Sequence, residues 1–110
     1  YDRSMGLDDR AGQWGWSCFA GNQGVIGGFP VKPGEWTLLA VVYDEQAHTT
    51  TFYAGEEKAE VADSQLGAGQ ETLNLGANPS YGELFEGDVE PVMVFDRALT
   101  EEEIRALRTP

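Results

Sequence analysis

Glu86, Asp88 and Glu90 stand two apart in the run Phe85-Glu86-Gly87-Asp88-Val89-Glu90-Pro91. Successive side chains of a β-strand point to opposite faces, so on a strand all three carboxylates project from one face. Carboxylates gathered in this way are the material of general acid–base chemistry. A second set of oxygen-bearing residues, Asp8, Asp9, Asn78, Glu83 and Asp88, falls in or beside loops. Calcium takes such hard oxygen ligands, about six to eight of them, from carboxylates, amides, backbone carbonyls and water. No spacing here approaches an EF-hand loop, and Asp and Asn are also ordinary turn formers.

The aromatic residues that suit stacking on a sugar or contact with a protein are Trp14, Trp16, Tyr81 and Phe85. Trp14 and Trp16 are two apart and would share a strand face. Tyr81 lies in a loop bounded by Pro79 and Gly82, which favours exposure. Core packing competes for each of them, and Trp36, Phe52 and Phe95 are assigned to the core. His48 is the one histidine, placed in a hairpin turn after Asp44. Without a second His or a nearby Cys, neither a zinc site nor a Ser-His-Asp triad has support. The one cysteine, Cys18, between Trp16 and Phe19, excludes an internal disulfide and reads as a small buried thiol.

These residues need a scaffold, and 110 residues supply one domain. Nineteen acidic residues face seven basic ones, giving a net charge of −12. That field repels nucleic acid and anionic membrane surfaces and tolerates cations and neutral ligands. No apolar run approaches the ~20 residues of a membrane-spanning helix. Glycine is frequent, apolar runs are short, and turn signals recur at the spacing of an all-β sandwich. Strands are expected at 14–20, from 25, at 36–43, 49–53, 58–62, 73–76 and 89–95. The 36–43 segment is the most apolar and suits a central strand buried on both faces. Only 100–107 reads as helical. Thr100 and Glu103 have capping-box spacing, and Arg105 and Arg108 suit the negative end of the helix dipole.

The closing run Gly87-Asp88-Val89-Glu90-Pro91-Val92-Met93-Val94-Phe95-Asp96-Arg97-Ala98-Leu99-Thr100-Glu101-Glu102-Glu103-Ile104 strongly resembles the end of laminin-G-like, concanavalin-A-like jelly rolls. There a G-x-I-D-x-V-x-I-Y strand is followed by N/D-R-A-L-[ST]-x-x-E-I. Gly34-Glu35-Trp36 with Ala40-Val41-Val42-Tyr43-Asp44 resembles the family's W-x-x-V-A-V-x-Y-D strand. Phe52-Tyr53-Ala54-Gly55-Glu56 resembles its L-Y-V-N-G-K hairpin, one residue shorter. Leu73-Asn74-Leu75-Gly76-Ala77-Asn78 resembles its L-x-I-G-G-N strand and loop. The likeness covers roughly residues 34–108, about the C-terminal two-thirds of the chain. Pro91 departs from it, because proline cannot donate to a ladder.

The resemblance implies an all-β jelly-roll sandwich with one short C-terminal helical turn. The chain starts at Tyr1 and is expected to lack the fold's first strands. The resemblance also implies a non-catalytic recognition or adhesion module of a larger secreted, cell-surface or periplasmic protein. Glycan or protein is the implied ligand, with calcium at the sandwich rim, and a dimer or docking onto the rest of the parent protein is expected. The alternatives are a purely structural domain and a carbohydrate-active enzyme. Glu86, Asp88 and Glu90 resemble the E-x-D-x-E motif of related β-glucanases, where two carboxylates about 5 Å apart perform retaining hydrolysis. Gly87, where a bulky apolar residue normally stands, and Pro91 argue against the enzyme.

Overall fold

A computed structural model of the protein describes residues 4–65, 75–78, 82–90 and 92–108, the side chains of Asn78 and Glu83 excepted. Among these residues two three-stranded antiparallel sheets form the body of a small all-β, jelly-roll-like sandwich. The first sheet holds β1 (Met5–Asp8), β2 (Gly15–Phe19) and β3 (Val25–Phe29) in that order. The second holds β4 (Leu39–Asp44), β5 (Thr49–Ala54) and β6 (Glu57–Val61). A two-stranded ribbon pairs β7 (Ala77–Asn78) with β8 (Glu83–Leu84), and α1 (Glu101–Leu107) follows. No helix among the described residues is long and apolar enough to cross a membrane.

The core lies between the two sheets. Phe52 is fully buried at 0% exposure, with Cys18 and Ala54 beside it. Trp16, Ile26, Phe29, Leu39 and Val41 close around them. The Phe29 and Phe52 rings stack across the sandwich with centroids 6.1 Å apart. Burial drives the Cys18 thiol up to about 12, which keeps it protonated and inert as its position in the sequence suggests. The Tyr43 hydroxyl donates to the Phe19 carbonyl and adds a polar tie between the sheets.

β5, not β4, is the central strand of the second sheet. It is flanked on both sides, Thr50 and Thr51 are buried with it, and the Thr51 hydroxyl donates to Glu60 on β6. The most apolar segment therefore lies at a sheet edge, where β4 is half-buried along its whole length. Trp36 falls before β4 and is 65% exposed, so it does not belong to the core. The ladder begins only at Leu39, after the Pro33-Gly34 turn has redirected the chain. Leu73 and Asn74 of the expected 73–76 strand lie outside the described residues, and Leu75-Gly76 form a bend. Residues 89–95 form no strand where they are described, and Phe95 is exposed rather than core. Their alternation supplies a strand's pattern, but no ladder among the described residues takes it up.

The helix forms where the sequence places it. The Glu103 amide donates to Thr100 Oγ1 at 3.2 Å, and the Thr100 amide donates to Glu103 Oε1 at 3.0 Å. Ile104 is buried at 3% exposure and seats the helix on the body. Lys58 on β6 reaches Glu101 at 2.8 Å, and Arg108 donates to the Gly55 carbonyl at 2.9 Å and pairs with Glu56. Arg97 grips Glu103 from the approaching chain.

Replacing Thr100 with Ala should cost about 1 kcal/mol of stability, because first-turn amides lose their acceptor. An unchanged denaturation midpoint and slope would refute the cap. Acid should release the helix as well. Arg97, and after it the Thr100 amide, holds the Glu103 carboxyl down to about 2 from 4.5. Because the folded-state value is depressed, this contribution is complete above pH 4.5 and is lost as pH falls toward 2. Ile104 resonances followed by NMR should shift across that window in the parent and lose that step in Glu103→Gln.

Candidate functional site

The site that the sequence makes legible is built on the β1–β2 hairpin. Asp8 ends β1 and accepts the Arg10 backbone amide at 2.8 Å and the Arg10 guanidinium in a fork. The Arg10 side-chain hydrogen bond holds the Asp8 carboxyl below the usual carboxylate range. The same guanidinium lies 4.7 Å from the centre of the Phe19 ring. The Gly12 amide closes the turn on the Asp9 carbonyl. Residues 9–14 are thus braced from within.

A second brace comes from β3. Pairing with β2 shifts at Trp16/Ser17: Trp16 faces Phe29 and Ser17 faces Gly27, so Gly28 is the extra residue of a bulge. The Gly28 amide is satisfied by Ser17 Oγ at 2.9 Å, and its carbonyl accepts from the Gln13 side chain. Gly28 sits at φ +78, and a Cβ there would stand 3.0 Å from the Gln13 carbonyl oxygen. The bulge therefore needs glycine both for its backbone and for the space the loop occupies.

This geometry separates the two tryptophans that the alternation places on one face. Trp14 stands before the first β2 residue and is 62% exposed. Trp16 is half-buried against the core. Its indole N–H is enclosed without a partner among the described residues, and its ring lies 6.3 Å from Phe85. Phe85 is held by its own amide, which donates to the Gly76 carbonyl at 2.8 Å. Trp16 and Phe85 are thus brought together as a half-covered pair, while Trp14 is presented alone on the braced loop. Tyr81 lies outside the described residues. Trp36 is an exposed aromatic that the hydrophobic run conceals. Its signal is the polar pair Glu35 and Thr37 on either side, just past Pro33-Gly34.

Among the described residues the oxygen donors form no cluster. Asp8 is engaged by Arg10, and among the described residues no group of three or more His, Cys, Asp or Glu is arranged to hold a metal. The side chains of Asn78 and Glu83 lie outside the described residues. Glu86, Asp88 and Glu90 are exposed, and the chain bends at Gly87, so strand alternation does not align them.

A laminin-G family model, described as the concanavalin A-like lectin/glucanases superfamily, matches residues 2–105. Comparisons with curated proteins and with solved structures returned no match.

Gly28→Ala should cost about 1–2 kcal/mol from the left-handed backbone alone, with the contact to Gln13 added. It should also move the Trp14 indole resonance. A stable variant with an unshifted Trp14 signal would show that the bulge does not position the loop.

Proposed function

The chain belongs to the concanavalin A-like lectin/glucanase superfamily, and from that premise we propose that it is a non-catalytic recognition module for a neutral glycan. Trp14 carries the reading: it is a large, rigid, exposed ring held on a loop braced at both ends. A planar indole suits the C–H face of a sugar, and preorganisation lowers the ordering cost of binding. The charge of −12 selects against sulfated, carboxylated or phosphorylated ligands. Placement outside the cell or at its surface, within a larger polypeptide, accompanies this reading.

The reading needs no calcium, since Asp8 already has a cationic partner in Arg10. Hydrolysis is not part of it either, because Glu86, Asp88 and Glu90 lie in no strand. A mixed-linkage β-glucan should therefore pass unchanged. Its cleavage by the parent, lost in Glu86→Gln, would replace the module reading with an enzyme.

Calorimetric titration with neutral oligosaccharides should give saturable binding that Trp14→Ala weakens by about tenfold or more, a loss typical of removing an aromatic anchor. The melting temperature should stay unchanged, because Trp14 packs little surface. Binding that survives Trp14→Ala, or that appears only with anionic sugars, would overturn the assignment.

A further inference from the structure

Trp14 and Trp36, 62% and 65% exposed, leave the fold at the same end of the sandwich. Three ties between the layers mark the opposite end. The Tyr43 hydroxyl donates to the Phe19 carbonyl, the Gln23 side chain donates to the Asp63 carbonyl, and Asn22 Oδ1 accepts the Gln65 amide. The 9–14 loop enters β2 at its far end, and the 30–38 crossing leaves β3 and enters β4 there too, where Leu39 pairs with Ala54 at the close of β5. Trp14 directly precedes a strand of the first sheet, and Trp36 stands three residues before a strand of the second. Facing sheets pack about 10 Å apart. A ligand that meets both indoles therefore extends across the thickness of the sandwich.

Trp36 is held from both sides, as Trp14 is. Before it, the Glu35 amide donates to the Lys32 carbonyl at 3.2 Å. Pro33 and Gly34 fill that turn, with Gly34 at φ +85, the residue types and backbone of a type II turn. After it, the Leu38 carbonyl accepts the Gly55 amide at 2.9 Å, which ties the crossing to the β5–β6 turn. The ring is thus presented at little ordering cost to a ligand. Each indole also stands singly among polar or small neighbours, Trp14 between Gln13 and Gly15 and Trp36 between Glu35 and Thr37. The core of a protein interface is a continuous apolar patch depleted of charge, and this end is not one. Separate flat rings with the exposed oxygen acceptors Asp9 and Glu35 beside them suit sugar rings and their hydroxyls. We propose, resting on the glycan-module reading, that Trp36 is a second stacking site. The ligand is then a neutral glycan chain of several units laid across the end of the sandwich, not a single terminal sugar.

Calorimetric titration with length series of neutral oligosaccharides, disaccharide to hexasaccharide, cut from a β-glucan, a mannan and a galactan, tests this. Affinity should rise with length in the series that binds. Trp36→Ala should weaken the hexasaccharide by about tenfold or more and leave the shortest member that binds unchanged. Trp36→Phe, which keeps an aromatic face, should retain most of the hexasaccharide affinity. Trp14→Ala should weaken every length. Equal hexasaccharide affinity in the parent and Trp36→Ala overturns the second site, and so does an equal loss at all lengths. A fall in melting temperature in Trp36→Ala overturns it as well, because the ring would then be packed on its own domain. Trp14-dependent binding that ignores Trp36 removes this site alone, whereas absence of Trp14-dependent binding in every series removes the module reading and this site with it.

Discussion

The burial of Phe52 between the two sheets is the contact on which the other features depend. Its ring is enclosed by both layers, with Cys18 and Ala54 buried beside it. The sheets approach closely at that point. Gly27 permits it: a Cβ there would stand 3.2 Å from the Phe52 ring and 2.6 Å from the Trp16 carbonyl oxygen. The next residue, Gly28, leaves the ladder as a bulge, and the bulge carries the brace to Gln13. The exposed Trp14 follows Gln13 on the loop that this brace holds. A packing demand in the core and a presented side chain at the surface are two ends of one backbone path.

The parts of the fold legible in the sequence are those fixed by local chemistry. Thr100 and Glu103 define their cap across four residues, and no tertiary contact is needed to read it. The hairpin from β4 to β5 follows from a turn-forming Asp44, whose carboxylate accepts the Gln46 and Ala47 amides. Centrality within a sheet is not local. Residues 39–44 are more apolar than 49–54, yet the Thr-rich strand takes the middle because β6 pairs on its far side. Residues 89–95 fail for a related reason. Alternation specifies a strand's surface but does not supply its neighbour, and no ladder among the described residues pairs with them.

The candidate residues could be named from the sequence by type, and their arrangement could not. Trp14 and Trp16 were identifiable as candidates, but period two holds only inside a regular ladder. The Gly27-Gly28 pair was the available sign that the ladder breaks there. Asp8 and Asp9 carried turn chemistry as well as oxygen donors, and Arg10 two residues on was the sequence clue that the first carboxylate had a nearer partner. Trp36 was hidden by the apolar run it precedes, because hydrophobicity reports what a segment prefers and not where the ladder begins.

Charge gives these local features a common direction. Seven basic residues are present, and Arg10, Lys58, Arg97, Arg105 and Arg108 all hold carboxylates of this chain. Exposed pairs of this kind contribute roughly 0–1 kcal/mol each to stability. Their larger effect is on the outward field. The cations are held beside their own acids, leaving unmatched carboxylates to dominate the surface. At physiological ionic strength that field reaches only about 8 Å, so its selectivity acts at contact distance. Around the exposed Trp14 ring it opposes the approach of an anion.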